Sequence, residues 1–446
     1  MEPEIKFSDS VDQNDTAYAL FHYGSEYILN AEVPQTVTPI VVYSVAAVAL
    51  MTIWYFLFVR PFDWNRDFSD LGFDDVKAKY PNVRTQKLVI DSLRRRKKVD
   101  DMPPVYPNGW FIILETDSLP KNASKEVSVL GLNLLAWRGG SGKSYVTDAY
   151  CSDLKADLSL EGQVNGEHIE YYATGRRLSG SDGKLRKISS LSDATELATV
   201  KLWDTMEMNG FIYLWYHAEG ECPNWHPPIF SQIESGEWKY RGRSEFKVAC
   251  HIQEIPENGA DVAHLNVVHK PAMFTGGKPI DALFKWSFLK HVWSASWAAN
   301  ERLGEEHQAV MKVHHHMSVF DKISLMSMDV EAHQIGPGLV FLEFNGFFGK
   351  GILFFMVTPL EPLMQKITHR FYSSSSMLHP FGMLILLGEA IQLERDIAIW
   401  NRKTFVNRPL LTKEDKAIKS FRRWFSQFYS ENSPKYHSPD RSGGDV

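Results

Sequence analysis

Apolar and polar residues divide the chain into segments of different character. Residues 40–59 read IVVYSVAAVALMTIWYFLFV, a run of 20 residues without a charged side chain. As a helix this run rises about 30 Å, enough to cross the hydrocarbon core of a bilayer. A buried soluble helix is the alternative, but such helices are seldom apolar on every face for so long. The pattern therefore predicts a transmembrane helix, which we place at residues 37–59.

Charges on either side of this run predict its orientation. Residues 1–36 contain seven acidic residues and one basic residue, whereas residues 94–98 read RRRKK. The cytoplasmic flanks of membrane spans carry an excess of Lys and Arg. We therefore expect a luminal N-terminal tail and a cytosolic main domain in a single-pass protein of the endoplasmic reticulum membrane.

The pattern changes again after residue 105. Short apolar runs separated by turn residues, such as GWFIILETDSL and FIYLWYHAE, predict a small antiparallel β domain. Later strand-like runs are followed by helical patterns near 378–403 and 412–429, so the predicted fold class is α+β. The predicted segments are a luminal tail (1–36), a transmembrane helix (37–59), a connector (60–105), a β domain (106–218), a second domain (219–430) and a disordered tail (431–446).

Composition narrows the possible functions. The chain has 446 residues, a net charge of −6 and three cysteines. The mild acidity argues against a nucleic-acid-binding protein, and three cysteines support neither a disulfide framework nor a site of four thiolates. Cys222 with His226, and Cys250 with His251, could bind a metal in principle. We predict instead that both cysteines are plain buried residues.

One stretch combines residue types that bind metals. Residues 257–269 read ENGADVAHLNVVH, with His264 and His269 five positions apart. The two imidazoles can converge where a helix bends or ends. Asp396 is a candidate third ligand, because an unpaired carboxylate is costly in the otherwise apolar helical stretch around it. Two histidines and a carboxylate suit ferrous iron and leave positions open for oxygen. By itself the pair is a weak signal, since two helical histidines are more often core or surface residues.

Five motifs together resemble the Rieske non-haem iron oxygenases, and most closely the Neverland-type cholesterol 7-desaturases of animals. They are YPNGWF (106–111), DAYC (148–151), NGFIYLWYH (209–217), the block at 254–269 and ERD (394–396). The block at 254–269 is the most specific of them. The resemblance implies an N-terminal membrane anchor, a Rieske [2Fe–2S] domain at 106–218 and a helix-grip catalytic domain with one mononuclear iron at 219–430.

The same resemblance implies roles for single residues and for partners. His264, His269 and Asp396 would hold Fe(2+), and Asp261 would pass electrons between neighbouring subunits of a trimer. The substrate would be cholesterol or a related sterol taken from the membrane, and the product would carry a 7,8 double bond. Electrons would come from NAD(P)H through a separate reductase, because the chain contains no dinucleotide-binding motif.

The chain departs from this family at the cluster. A Rieske cluster takes Cys-x-His and Cys-x-x-His, with two thiolates on one iron and two imidazoles on the other. The corresponding positions here are Cys151, Asp153, Tyr171 and Thr174. We therefore predict that this chain assembles no normal [2Fe–2S] cluster. Two interpretations stay open. The first is a desaturase that forms a homo- or hetero-trimer; a homotrimer would have no internal electron donor, whereas in a mixed trimer a neighbour's cluster could supply the electrons. The second is a non-catalytic sterol-binding or regulatory paralogue.

Two further runs have both a functional and a structural interpretation. The aromatic residues between 341 and 356 could form the apolar wall of a sterol pocket or belong to ordinary core strands. They are Phe341, Phe344, Phe347, Phe348, Phe354 and Phe355, followed by Met356. The tract at 314–316 reads HHH, but neighbouring residues on a strand point to opposite faces. We therefore predict that these three histidines are structural or surface residues and do not share one metal.

Overall fold

A computed structural model describes most of the chain. The described residues are 37–97, 101–150, 157–159, 162–172, 175–187, 196–272, 275–277, 288–346, 349–412 and 415–436. Contacts divide the chain into a first unit that ends at Arg60 and a second that begins at Pro61. Cys151, Asp153, Thr174, Phe347 and Phe348 lie outside the described residues.

The first unit contains helix α1 (Val37–Phe58), which is 22 residues long. Its large apolar side chains are exposed between Val41 and Val59 wherever they are described. Within the described part of the chain, no helix meets the length and apolarity that a membrane crossing requires. The transmembrane helix at 37–59 therefore stays a prediction.

The second unit is built on one large sheet of eight strands among the described residues. In spatial order the strands are β1 (Phe62–Arg66), β13 (Lys239–Val248), β19 (Met364–Ser373), β18 (Gly349–Glu361), β17 (Leu339–Gly346), β16 (Ile323–Ile335), β15 (Gln308–Val319) and β14 (Leu289–Ala299). Strands β14 to β19 follow one another as antiparallel hairpins, and only β1 joins its neighbour in parallel. Sequential hairpins need only short turns, which explains the regular spacing of these strand patterns.

Three smaller antiparallel sheets occupy the region between β1 and β13. The first contains β11 (Thr205–Met208), β12 (Phe211–Tyr216) and β2 (Gly109–Glu115); the second contains β3 (Ala123–Val129), β4 (Leu132–Arg138) and β5 (Ser144–Asp148); the third contains β6 (Gly162–Asn165), β7 (His168–Tyr171), β8 (Arg176–Ser179), β9 (Lys184–Lys187) and β10 (Glu196–Thr199). Strand β2 contacts β18 of the large sheet, so this β region packs on the rest of the second unit. The predicted β domain followed by an α+β domain is confirmed.

Helices flank the large sheet. Those of the second unit are α2 (Asp74–Lys79), α3 (Val83–Arg95), α4 (Ser231–Glu234), α5 (Glu254–Ala260), α6 (Val262–Val268), α7 (His379–Trp400) and α8 (Lys416–Phe425). The longest, α7, contacts β13, β19 and β1. Helix α8 buries Phe421, Trp424 and Phe425 on one face, as the helical spacing predicted. These helices bring the residues of the next section onto one side of the sheet.

Two predictions about single side chains have definite outcomes. Cys250 is buried, but Cys222 is exposed, so the prediction that both are buried is wrong for Cys222. Cys222 lies in the irregular segment between β12 and α4, where no strand neighbour covers it. In the histidine tract, His314 is exposed beside Asp329, whereas His315 is buried against His291. The alternation predicted for this tract is confirmed.

Candidate metal centre and its cavity

The two histidines of the 257–269 block lie at opposite ends of one short helix. Helix α5 ends at Ala260, and Asp261 has φ −83° and ψ 72°, which is not a helical conformation. The Asp261 carboxylate accepts a hydrogen bond from the backbone N–H of His264, so it caps α6. His264 is in the first turn of α6, and His269 is the residue at its C-terminal end. The two imidazoles therefore converge at a helix that ends at the second histidine.

Helix α7 brings a carboxylate to this pair. One ligand atom each from His264, His269 and Asp396 lies within 4.8 Å of the other two. Nε2 of His269 is 3.3 Å from Oδ2 of Asp396, and both side chains are buried. The two imidazole rings are 4.9 Å apart between centroids and nearly perpendicular, at 77°. The structure thus brings together three residues that are separated by up to 132 positions in the sequence.

Gln392 orients the His269 ring. Nδ1 of His269 is 2.9 Å from Oε1 of Gln392, which is one helical turn before Asp396 on α7. An amide oxygen only accepts hydrogen bonds, so Nδ1 of His269 carries a proton, and in the neutral ring the lone pair is on Nε2. Metal-bound histidines are commonly fixed in this way by a hydrogen bond from the second ring nitrogen.

Arg395 is a fully buried cation behind the site. Its guanidinium donates to the backbone carbonyl oxygens of Pro271 at 2.9 Å, Ala272 at 3.0 Å and Gly276 at 3.1 Å. It also donates to Oε1 of Gln392 at 3.0 Å, the same oxygen that accepts from His269. Arg395 therefore links the segment that follows His269 to helix α7 and holds the Gln392 amide in place.

The opposite face of α7 is fixed to the first strand of the sheet. Oε1 of Glu394 accepts hydrogen bonds from the Trp64 indole at 2.9 Å and from Nε of Arg66 at 2.8 Å. Glu394 is buried, and a buried carboxylate needs such partners. Strand β1 thereby limits rotation of α7, which keeps Asp396 directed at the histidines.

Two titratable groups at the site have shifted pKa values. Burial lowers the pKa of His269, but the charge of Asp396 and the hydrogen bonds to Asp396 and Gln392 outweigh it, so the net pKa is raised. Glu389 is the next acidic residue on the same face of α7. Burial raises its pKa to about 7, with a further increase from Asp396 that His269 opposes.

This arrangement fits a divalent transition metal. Two imidazoles and one carboxylate form the donor set that non-haem ferrous enzymes use, with several coordination positions left open. Nε2 of His269 is the free ring nitrogen, and Nδ1 of His264 contacts the backbone oxygen of Asp261, which leaves Nε2 of His264 for a metal. Among the described residues, this is the one group of three or more His, Cys, Asp or Glu side chains close enough to share an ion.

Two apolar cavities, here called the His264 lobe and the His269 lobe, lie beside the three residues. The His264 lobe has a volume of about 180 Å³ and includes Ile255, Trp297 and Trp400. The His269 lobe has a volume of about 140 Å³ and includes Trp293, Met328 and Glu389. Both lobes share a set of lining residues: Leu265, Met311, Ala332, Leu342, Phe355, Leu393 and Asp396. The candidate metal position therefore lies where the lobes meet.

The aromatic run at 341–356 contributes to this cavity only in part. Phe355 lines both lobes and Phe344 lines the His269 lobe. Phe341, Phe354 and Met356 are instead buried in a core cluster with residues of β2 and β12. Alternation along the strands explains the division, because neighbouring side chains lie on opposite faces of the sheet.

Comparisons with known proteins agree with this geometry. The family model described as "Rieske [2Fe-2S] domain" matches residues 109–200, and the family model described as "3-Ketosteroid 9alpha-hydroxylase C-terminal domain" matches residues 214–429. A cholesterol 7-desaturase of Xenopus laevis is 38% identical over 414 residues, which cover 91% of this chain and 89% of that protein. The chain belongs to the Rieske oxygenases, in the cholesterol 7-desaturase family. A cholesterol 7-desaturase of Caenorhabditis elegans is 37% identical, over 88% of this chain and 92% of that protein.

Solved Rieske oxygenases share the fold at much lower identity. Pseudomonas putida CBB5 NdmA with caffeine superposes with a TM-score of 0.53 at 16% identity, covering 71% of this chain and 89% of that one. Dicamba monooxygenase bound to dicamba gives a TM-score of 0.50 at 12% identity, covering 73% of this chain and 98% of that one. These values establish a common architecture.

The structure describes Tyr171, one of the four positions that we assign to the cluster motif from the sequence. Tyr171, where the second cysteine of the motif is expected, is the last residue of β7 and is buried. It belongs to an apolar cluster with Leu135, Trp137, Leu158, Ile169, Leu178 and Leu185. It pairs across the strands with Gly162, where an added Cβ would lie 2.8 Å from the ring. The phenol ring is thus part of the core at a position where the motif has a thiolate.

Sequence reasoning missed three residues of the site. They are Gln392, Arg395 and Glu389. A signal for the first two was present, because a glutamine and an arginine occur within four residues of Asp396 in an apolar helix. Buried polar groups need partners, so their positions could have indicated a hydrogen-bonded network.

Proposed function

We propose that this protein is a sterol 7-desaturase that holds one ferrous ion on His264, His269 and Asp396. The observation that carries the proposal is the convergence of these three side chains at the junction of two apolar lobes. The chain's identity of 35–38% to seven cholesterol 7-desaturases supports cholesterol as the substrate. The reaction removes one hydrogen each from carbons 7 and 8 and forms the 7,8 double bond.

The residues around the site have separable tasks in this reaction. Bound ferrous iron would supply the activation of O2, which is reduced to water by four electrons, two from the sterol and two from NAD(P)H. Gln392 keeps Nε2 of His269 unprotonated, and Arg395 keeps Gln392 in place. The apolar lobes exclude water and align the flat sterol rings beside the metal position.

The electron path needs a partner. Tyr171 supplies no thiolate, and Asp153 and Thr174 supply no imidazole, so the residues at the cluster positions do not fit a normal [2Fe–2S] group. We infer that a neighbouring subunit with an intact cluster delivers the electrons within a trimer, and that an external reductase feeds that subunit. Asp261, which caps the helix of His264, is the proposed entry point.

A specific observation favours a second candidate function. Tyr171 packs in the apolar cluster of its domain, as a residue adapted to a cluster-free core would. A non-catalytic sterol-binding or regulatory paralogue would keep the metal site and the cavity but would not turn over. The two functions share a ligand and differ in whether electrons arrive.

We also propose that α1 anchors the protein in the endoplasmic reticulum membrane. The support is its uncharged sequence, the exposure of its apolar side chains and the basic run at 94–98 that follows it. An anchored catalytic domain on the cytosolic side can take a sterol directly from the bilayer. The acidic segment at 1–36 would then be luminal.

Metal analysis tests the cofactor part of the proposal. The full-length chain is purified anaerobically in detergent, and iron and acid-labile sulfide are measured per chain. We expect about one iron and no sulfide, because one site of three ligands is retained. Two additional irons with sulfide and a Rieske-type EPR signal would show that the cluster assembles and that the ligand argument is wrong.

Activity measurements distinguish the two functions. Cholesterol conversion is assayed for three samples. The first is the wild type alone, and the second is the wild type mixed with a cholesterol 7-desaturase subunit that has an intact Rieske cluster but an inactivated mononuclear iron site. The third is the D153H/Y171C/T174H variant alone. Conversion only in the mixed sample supports a desaturase fed by a partner. Conversion by the triple variant alone, with none in the mixture, supports the paralogue. Wild-type conversion without any partner would contradict the inferred electron path.

A further inference from the structure

Two polar side chains of the otherwise apolar His269 lobe each have a polar atom without a hydrogen-bond partner among the described residues. Glu389 projects from α7 and His369 from β19, and both line this lobe. The other polar side chains of the lobe are the candidate ligands His269 and Asp396, and Gln392, which bonds to His269. Glu389 and His369 therefore stand apart from the metal-binding network while facing the same space.

Glu389 is a carboxyl group in apolar surroundings. Within the described residues it has no hydrogen bond and no ion pair, and Met328, Phe344 and Phe355 line the same lobe. Burial raises its pKa to about 7, so a neutral carboxyl that can donate a hydrogen bond is readily populated. Glu389 is half-buried, and a carboxyl without a partner in an apolar lobe points to a ligand that supplies the missing hydrogen bond.

His369 offers the complementary atom. Its Nδ1 is 3.1 Å from Oγ of Ser244, and its buried Nε2 has no hydrogen-bond partner in the part of the chain that the structure describes. The ring packs against Phe355, with centroids 4.7 Å apart. Burial lowers the pKa of His369 to about 3, so the imidazole is neutral. When Nδ1 donates to Ser244, Nε2 has a lone pair that can accept a hydrogen bond from a ligand.

We propose that Glu389 and His369 bind the hydroxyl group of the sterol substrate. This inference rests on the proposed function and adds a recognition site to it. A hydroxyl group donates one hydrogen bond and accepts others, so it can satisfy the carboxyl and the imidazole together. The apolar remainder of the lobe suits the first ring of a sterol.

The spacing along α7 agrees with this assignment. Glu389 and Asp396 are seven residues apart, two helical turns, so they lie on the same face about 10 Å apart along the axis. A sterol carries its hydroxyl on the first ring and carbon 7 on the second. A molecule whose hydroxyl is held at Glu389 therefore extends its second ring toward the metal position at Asp396.

The His264 lobe takes the rest of the molecule in this orientation. Most of its lining is apolar or mainly so, including Ile255, Pro256, Trp297, Leu393 and Trp400, although Asn258 and Gln334 also line it. The third and fourth rings and the hydrocarbon tail carry no polar atom, so they match such a lining. The polar end thus lies in the His269 lobe and the apolar end in the His264 lobe, with carbon 7 at the junction.

Binding of two sterols that differ only in the hydroxyl tests the inference. The full-length iron-loaded chain in detergent is titrated with cholesterol and with 5-cholestene, which lacks the hydroxyl. The wild type is expected to bind cholesterol at least about tenfold more tightly, the effect of one or two buried hydrogen bonds. E389L and H369F should bind cholesterol as weakly as 5-cholestene, with 5-cholestene binding unchanged. E389Q, which can still donate, should retain most of the difference.

Controls separate this site from the metal and from the fold. Iron content is measured for each variant, and equal values show that the metal site is intact. M328L changes an apolar side chain of the same lobe and should change the affinity for both sterols by the same factor. Equal binding of the two sterols by the wild type, or an undiminished difference in E389L and H369F, would overturn the hydroxyl site alone. Absence of binding for both sterols in the wild type would overturn the proposed function with it.

Discussion

Nδ1 of His269 and Oε1 of Gln392 are 2.9 Å apart, and this contact determines which ring nitrogen faces the candidate metal position. Gln392 is itself held by Arg395, which is fully buried. Two consecutive hydrogen bonds therefore connect the candidate ligand His269 to Arg395, which also bonds to the segment that follows His269. The site consists of three ligands and the network that orients them, and each part can be tested separately.

The three ligands are expected to be individually necessary for iron. In H264A, H269A or D396A, iron per purified chain should fall to about a tenth of the wild-type value or less, because two ligands hold a divalent ion poorly. The control is H314A, which changes an exposed histidine paired with Asp329 outside the cavity. Iron content that stays at the wild-type level in all three variants would contradict the assignment.

Replacement of Gln392 should weaken iron binding without removing a ligand. Q392L leaves Nδ1 of His269 without its acceptor, and changes of this kind typically reduce metal affinity by about 10- to 100-fold. The measurement is competition for iron against a chelator of known affinity. Q392E keeps an acceptor oxygen and should lose less iron affinity than Q392L. Equal affinities for wild type and Q392L would show that the hydrogen bond does not orient the ring.

The histidine pair and Asp396 could be predicted from sequence because each is an unusual residue in its local pattern. Two histidines five apart can converge where a helix bends or ends, and a carboxylate in an apolar helix requires a partner. The helix does end at His269, but the break at Asp261, whose side chain caps α6, was not predicted. Long-range convergence of the three, in contrast, was supplied by the family resemblance.

Arg395 is expected to contribute strongly to stability. In R395M the carbonyl oxygens of Pro271, Ala272 and Gly276 lose their donor and stay buried, so the free energy of unfolding should fall by about 3 kcal/mol. Urea unfolding of the detergent-purified chain measures this change. R395K keeps the charge but has fewer donors, so its free energy of unfolding should lie between those of R395M and the wild type. A loss below about 0.5 kcal/mol would be typical of a surface substitution and would contradict the role.

The network around Gln392 and Arg395 was beyond sequence reasoning for a physical reason. Hydrogen-bond partners such as the Pro271 and Gly276 carbonyls are backbone atoms, and every residue has the same backbone oxygen. Sequence can show that a buried arginine needs acceptors but cannot show which loop provides them. Within the aromatic run at 341–356, some residues line the lobes and others lie in the core. The sequence does not show which face of each strand lies toward helix α7.

Removal of the N-terminal segment tests the proposed anchor. A chain that lacks residues 1–60 should move from the membrane pellet to the soluble fraction after cell lysis, because about 20 apolar residues provide most of the insertion energy. Since the second unit begins at Pro61, its iron content should be unchanged. Persistence of the truncated chain in a carbonate-washed membrane pellet would show that the segment is not the anchor.

Stability should also fall in mild acid, partly because of His251. This fully buried histidine accepts a hydrogen bond from the backbone N–H of Gln253 at Nδ1 and contacts the Pro103 and Pro104 carbonyls through Nε2. Burial lowers its pKa to about 4, from 6.5 in the unfolded chain, although the two carbonyls oppose this shift. Below pH 6.5 the unfolded state therefore binds a proton that the folded state does not. The free energy of unfolding should fall by about 1.4 kcal/mol per pH unit down to pH 4, a total of about 3 kcal/mol.

The contribution of His251 is isolated by comparing the wild type with H251Q across this range. H251Q should be less stable than the wild type at pH 7.5, where its lost packing and hydrogen bonds dominate. The difference should shrink as pH falls from 6.5 to 4, because glutamine does not take up a proton. F405L removes packing from the neighbouring ring, 5.0 Å from His251, without a titrating group, so its stability difference should stay constant with pH. A constant difference for H251Q as well would mean that His251 binds protons equally in both states, and the acid sensitivity would then belong to other buried histidines such as His291 and His315.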